Sequence, residues 1–511
     1  MTAHTVETPA HSTFRLSPAA GMFLARAVRA PLWLLVSALL ARVLEPQGLG
    51  TWAMVLAAAM LGNQVLLLWT QSITQRFGRA EWLACGRLDE TWATRWPALV
   101  AGMLVAGMLV ALAPLDWHMR FYALADDHRW LVVPALLTLW LMSEAQGLQQ
   151  VRERFRSLAW SPVAADLLML ATIALLALLC AGNAGTVPAV DTTAALLAIA
   201  LAGVITWTAF LARELRDLPI GWQRPDRERT RSALLFSLPL VPGYSIGYVA
   251  EWCDYFLIGH FYGAPAVGLF HPAYQYMLIL IGIPTAITAV LLPQVVTAMD
   301  NGGEACLRTL VTRTAPQLIV LWALGSLVVV AVLPELFAML TGDAYRESRT
   351  VLQVLLVAVP GAIASHVYTL AHFAQGRLVA SNLGLFGIKL AVNAGVSFAL
   401  LPALGVVGSA TGSAASYLIL QWLFLADQHR HLQLPLGHGA AALALAHLAA
   451  IGLALLYDTT WRVAATLPAV VLIGLWARQA GLFSAAEVSA MMPRQLAPLL
   501  PFATRVLCRD A

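Results

Sequence analysis

Apolar runs of about twenty residues follow one another along almost the whole chain, parted only by short joints in which arginines gather. A run of this length crosses the roughly 30 Å hydrocarbon layer of a bilayer as a helix. Period-2 alternation is missing, so the pattern predicts helices rather than a membrane barrel. Composition agrees: 11% of the 511 residues are charged, against about 25% in soluble proteins, and the mean hydropathy is +0.74. The chain therefore reads as an all-α integral membrane protein with fourteen spans, at about 20–43, 49–70, 97–115, 130–149, 158–181, 194–212, 234–260, 265–292, 315–334, 351–374, 379–401, 406–426, 438–457 and 462–480.

An even number of spans puts both termini on one side, and the arginines choose it. With the N-terminus in the cytoplasm, 22 arginines fall in inward segments, among them Arg76, Arg79, Arg87 and Arg95 between spans two and three. Only 5, namely Arg120, Arg129, Arg346, Arg349 and Arg462, fall outside. The positive-inside rule then places both termini in the cytoplasm. The net charge of +4 is explained by this topology without a nucleic-acid partner. Cys85, Cys180, Cys253, Cys306 and Cys508 show neither a disulfide framework nor metal-ligand spacing.

Residues 1–17 are polar and read as a disordered cytoplasmic tail rather than a signal peptide. The charged joint at 213–231, with Trp222, reads as a cytoplasmic linker between two six-helix bundles, 18–212 and 232–430; residues 431–511 add two helices and a tail. A weak internal repeat supports the halves. Setting Gly50 on Gly268 also sets Trp52 on Phe270, and setting Arg154 on Arg377 sets Asp166 on Lys389.

Charges inside spans are the candidate functional residues, because an ionised group at the bilayer centre costs roughly 2.5–3.5 kcal/mol on insertion scales and normally faces a partner or a cavity. Counting from the span ends gives an inner layer of Arg26, Arg29, Glu144, Asp166, His366 and Lys389, and an outer layer of Glu251, Asp254, His260 and His271. Two polar layers suit a cavity that opens alternately to each side. Lys389, the sole lysine, interrupts an otherwise uncharged span and reads as lining the cavity, with Asp166 as a salt-bridge partner or coupling residue. Arg26 and Arg29 either snorkel to the inner headgroups or point into that cavity. His372 falls at the cytoplasmic rim. Pro239, Pro242, Pro272, Pro284 and Pro360 predict kinks, while Gly405, Gly408 and Gly412 mark a helix-packing surface. No glycine loop with lysine suggests ATP hydrolysis.

The stretch from Glu251 to Tyr274, with Asp254, Ile258-Gly259, Gly263, Val267-Gly268 and Ala273-Tyr274, resembles the seventh and eighth helices of Wzx-type polysaccharide transporters, in the multidrug, oligosaccharidyl-lipid and polysaccharide flippase superfamily. The opening hairpin, with Arg42, Pro46, Gly50 and Trp52, is similar too, although Glu45 stands where the family usually has glycine before that proline. The joint GLQQVRERFR before span five looks like the family's Gln-x-x-x-Arg-Phe loop. The resemblance implies a bacterial inner-membrane flippase, not an enzyme, that moves a polyprenyl-diphosphate-linked oligosaccharide from the cytoplasmic to the periplasmic leaflet for O-antigen, capsule or exopolysaccharide assembly. Its partners would be the bilayer, the lipid-linked glycan and, further on, a polysaccharide polymerase and chain-length regulator. On this reading Arg26, Arg29 and Lys389 attract the diphosphate. Asp166, Asp254, Glu251, Glu144 and His366 are candidates for a coupling H⁺ or Na⁺, and no organic cofactor or structural metal is expected. Alternatives are a lipid II flippase or a multidrug exporter of the same superfamily, and, in a different class, a membrane glycosyl polymerase or transferase. The cationic inner layer disfavours cationic drugs. No outward loop reaches twenty residues, which disfavours the enzyme.

Overall fold

The computed structural model describes residues 17–112, 126–182, 192–218, 224, 226–285, 291, 295, 304–375, 377–456, 458–491, 504, 507 and 508. The expected N-terminal tail and Trp222 lie outside them. Apolar runs become helices because a helix satisfies its own backbone where no water can. Among the described residues the β-type pairing is confined to an isolated bridge between Phe483 and Cys508.

Helix α1 (Ser17–Gly62) is 46 residues long, about 69 Å at 1.5 Å per residue, over twice the hydrocarbon thickness. It divides at Glu45, whose φ of 54° and ψ of 173° are non-helical. That region of backbone space is tolerated almost only by glycine and costs other residues about 1–3 kcal/mol, so the glutamate that departs from the family pattern sits in a strained joint. Further along, α2 (Leu68–Ile73) lies between π-helical turns, followed by α3 (Arg79–Cys85), α4 (Asp89–Leu112), α5 (Val132–Val151), α6 (Phe155–Gly182) and α7 (Thr192–Arg216). Helix α8 (Arg227–Ser237) opens at Asp226, whose carboxylate accepts from the Arg229 amide at 2.8 Å. Helix α9 (Leu240–Gly282) repeats the form of α1: 43 residues, divided at Gly263 with φ 77° and ψ −175°. Then come α10 (Glu304–Thr309), α11 (Ala315–Thr341), α12 (Arg346–Leu355), α13 (Ala362–Ala374), α14 (Leu378–Leu404), α15 (Val406–His431), α16 (Gly437–Ala454), α17 (Thr459–Gln479) and α18 (Ala485–Met491).

Nine of the described helices are long and apolar enough to cross a membrane, and Asp343–Ala358 with Ala362–His372, bent by 43°, makes a tenth candidate. The chain is thus a multi-pass membrane protein. The bend falls at Pro360, so the expected tenth span is two helices. Near the break, Trp322 Nε1 donates to the Val359 carbonyl at 2.8 Å and Gln421 Nε2 to that of Ala358 at 2.9 Å.

In the first half α1 packs on α6 and α5, and α5 on α7; in the second, α9 packs on α14, and α14 on α15. The seam between the halves is α1 against α9. It is closest where a β-carbon on Gly50 would meet the Ala264 carbonyl oxygen at 1.7 Å and one on Gly268 would meet that of Pro46 at 1.8 Å. The two residues that align in the repeat are therefore in reciprocal contact beside the two joints. Helices α16 and α17 pack on α11.

Candidate functional site

Arg26 and Arg29 sit one turn apart near the start of α1 and border a cavity of about 440 Å³ whose far wall is Gln275, Leu278 and Gly282 of α9 with Thr285 just beyond it. The cavity therefore lies between the two halves, toward the first residues of α1 and the last of α9. Arg29 Nε donates to Asp166 Oδ2 of α6 at 2.7 Å; the Arg29 side chain is 42% exposed, its partner 7%. Among the described residues no carboxylate pairs with Arg26. An anion entering this space meets one engaged guanidinium and one that no acid neutralises.

Lys389 does not join them. It is fully buried on α14, paired with Glu251 of α9, and its Nζ lies 3.8 Å above the Tyr417 ring. Glu251 Oε2 also accepts from Tyr274 at 3.0 Å and from Tyr417. Two expectations are corrected here. Asp166 pairs with Arg29, not Lys389, and the supposed inner Lys389 and outer Glu251 are direct partners on one level.

One turn along α9, Asp254 is completely buried. Asn393 Nδ2 donates to it at 2.8 Å and Ser397 Oγ at 3.0 Å, both from α14, while Ser409 and Ser413 donate from α15. Four donors around one carboxylate offset the cost of burying its charge. The approach depends on Gly412, where a β-carbon would stand 2.1 Å from Ser397 Oγ. The helix-packing glycines thus bring the serines into reach.

Of the remaining candidates, Glu144 separates from these sites, while His366 and His271 stay near the arginines. Glu144 forms a two-pronged pair with Arg95, whose Nη1 meets Oε2 at 2.6 Å. Arg95 also donates to Thr70 at 3.1 Å and Thr74 at 3.0 Å and is 1% exposed. Arg95 is therefore not the solvated loop residue its position suggests, and Glu144 is held in a sealed ion pair away from the cavity. His366 Nε2 lies 3.0 Å from the Ile281 carbonyl. Buried His271 meets the Tyr255 hydroxyl through Nδ1 at 2.9 Å, while His260 is exposed. His372, at the rim, is buried against Asp427 at 2.6 Å. Tyr274, Tyr417, Asn393, Ser397, Ser409 and Ser413 carry no charge, so hydropathy passes over them; the i, i+4 spacing of Asn393 with Ser397 and of Ser409 with Ser413 was the readable signal.

The sequence matches the family model described as "Polysaccharide biosynthesis protein" over residues 20–299. No curated protein matches it. Among solved structures, the fold is similar to the lipid II flippase MurJ in its inward closed conformation, at 8% identity and a TM-score of 0.64, covering 91% of this chain and 99% of that one. An inward-facing multidrug resistance MATE family transporter of the MOP superfamily aligns at 16% identity and a TM-score of 0.60, covering 81% and 98%. A MOP superfamily transporter from Pyrococcus furiosus aligns at 14% identity and 0.54, covering 82% and 95%. At such identities the likeness establishes the fold alone.

Proposed function

From the premise that this chain belongs to the polysaccharide biosynthesis protein family, we propose that it flips a polyprenyl-diphosphate-linked oligosaccharide across the bacterial inner membrane, from the cytoplasmic to the periplasmic leaflet. Family and fold support a membrane transporter of the flippase type. The substrate reading rests on one observation: the cavity between the halves presents Arg26 and Arg29 to whatever enters from the cytoplasmic end. A diphosphate carries the charge that this pair attracts, and guanidinium forks match phosphate oxygens. The prenyl tail stays in lipid, which is as apolar as any pocket. Alternating access would part the halves where Gly50 meets Gly268 and close them around the arginines.

Ion coupling in this reading falls to Asp254. Its carboxylate accepts from the Asn393 amide and from three serine hydroxyls, whose oxygens can themselves turn to accept, a setting that suits a proton or a hard cation such as Na⁺. Only a difference in affinity between two states can drive the cycle, and the donors to Asp254 of α9 come from α14 and α15, so a shift between these helices would change that affinity. The product, delivered outside, would pass to a polymerase and its chain-length regulator.

The test replaces Arg26 and Arg29 together by alanine, verifies membrane abundance, and measures lipid-linked glycan on the cytoplasmic face with surface polysaccharide. Accumulation inside and loss outside uphold the reading. Unchanged export would remove the arginines from substrate binding. Intact surface glycan after deletion of the whole protein would overturn the polysaccharide substrate in favour of lipid II or a drug.

A further inference from the structure

A second cavity, of about 280 Å³, lies between α1, α5, α6 and α7 of the first half and α9 of the second, and shares Arg29, Trp33 and Gln275 with the first. Its walls bring four tryptophans together from three helices: Trp33 and Trp52 of α1, Trp207 of α7 and Trp252 of α9. Asp166 and His271 border it too. Nothing in the transport reading so far requires such a chamber beside the phosphate site.

We propose that this chamber is a saccharide subsite, in which the sugar ring adjoining the diphosphate stacks on the tryptophans while the phosphates stay at Arg26 and Arg29. The inference rests on the flippase reading and specifies where that substrate's specificity is decided. The choice of occupant follows from what each part of a lipid-linked glycan gains. A polyprenyl chain moving from bilayer to apolar pocket gains almost nothing, since lipid tails are already apolar. A sugar must leave water. Its axial and equatorial C–H faces lie flat on indole rings, and its hydroxyls need hydrogen-bond partners at the ring edge. Tryptophan supplies a rigid apolar platform with a polar handle, and Arg29, Asp166, Gln275 and His271 stand at the same walls. The volume is close to the lower end of small-molecule sites, about 300 Å³. Trp33 and Arg29, common to both cavities, fix the order: phosphate first, sugar next to it.

The experiment uses purified full-length protein in nanodiscs and two probes: farnesyl diphosphate, and the lipid-linked glycan extracted from the membranes of cells that make the protein. Wild type is expected to bind the glycan-bearing probe at least tenfold more tightly than farnesyl diphosphate. Trp207→Ala is expected to erase that difference and leave farnesyl diphosphate binding within twofold, whereas Trp207→Phe, which keeps an aromatic face, retains most of it. Equal affinity of wild type for both probes overturns the subsite while sparing the flippase, as does a Trp207→Ala variant that keeps the tenfold preference. If Trp207→Ala misfolds, Ala165→Phe, which fills the chamber from α6, must give the same selective loss. Failure of wild type to bind either probe overturns the flippase reading itself.

Discussion

Each half of the molecule sets a cation against a carboxylate across the same pair of helices, with the polarity reversed. In the first half the cation is on the opening long helix and the acid on α6, Arg29 with Asp166; in the second the acid is on α9 and the cation on α14, Glu251 with Lys389. Their surroundings also differ. Arg29 is 42% exposed at the meeting point of two cavities and its acid 7%, while the cation Lys389 is buried beneath a tyrosine ring and its acid, 29% exposed, is held by two phenols. An open pair can exchange its partner for an anion from outside. A closed pair keeps its partner and fixes two helices to each other. The comparison teaches that an intramembrane charge is read by its access, not by its presence.

The sharpest way to break this comparison is to remove one cation from each pair. Lys389→Met leaves Glu251 without its counter-charge and is expected to cost about 3–5 kcal/mol, seen as loss of folded protein from the membrane. Pairing it with Glu251→Gln should restore much of that abundance. Arg29→Met leaves the buried Asp166 carboxylate unpaired but beside a cavity, with a smaller stability cost of about 1–3 kcal/mol, abundance reduced less than in Lys389→Met, and defective export. Equal loss of abundance in both variants would erase the distinction.

The seam between the halves gives the next effect. At Gly50→Ala the new methyl cannot coexist with the Ala264 carbonyl 1.7 Å away, so the contact beside the two joints must open. A cysteine at position 264 should then react faster with an impermeant maleimide added from outside than it does beside Gly50. Unaltered labelling would mean the seam is not a gate. Within the closed half, Ser413→Ala removes one donor to a buried carboxylate and is expected to cost about 1.5–3 kcal/mol, measurable as a lower unfolding midpoint. If Asp254 carries the coupling ion, the same variant also shifts the ion concentration at half-maximal export.

Much of this arrangement was legible. Glu251, Asp254 and Lys389 stand out because a charge in an apolar run has few tolerable explanations, and the joints at Glu45 and Gly263 were marked by proline and glycine. The partners were not legible. Depth counted from uncertain span ends put the paired Lys389 and Glu251 in different layers, and the rotation of one helix against another is set by packing, so Asp166 aligned with Lys389 in the repeat without touching it. Arg95 was misassigned because its place beside a span boundary, uncertain by several residues, made a buried arginine look like a loop residue. Gly50 and Gly268 were found as a repeat, yet their contact needed the third dimension.

A third pair calibrates the other two from water. Arg313 Nε meets Glu487 Oε1 at 2.8 Å, with side chains 54% and 29% exposed. Glu487 also accepts from the Ser484 amide at 2.9 Å and its own amide is donated to Ser484 Oγ at 3.3 Å, a capping box at the start of α18. The Arg313 hydrogen bond, with help from Ser484, holds the Glu487 carboxyl down to about 2 from its ordinary 4.5. A depressed carboxyl contributes stability that is present above about 4.5 and lost as pH falls toward about 2. With so much exposure the contribution is small, about 0.5 kcal/mol. Limited proteolysis of the C-terminal segment between pH 5 and 2.5, in vesicles, should show wild type loosening as the pH falls, while Glu487→Gln is already loosened at pH 5 and changes little. A glutamine variant that follows the wild-type curve would assign the loosening to other groups. The aqueous pair would then offer no baseline for the far larger penalties expected at Lys389.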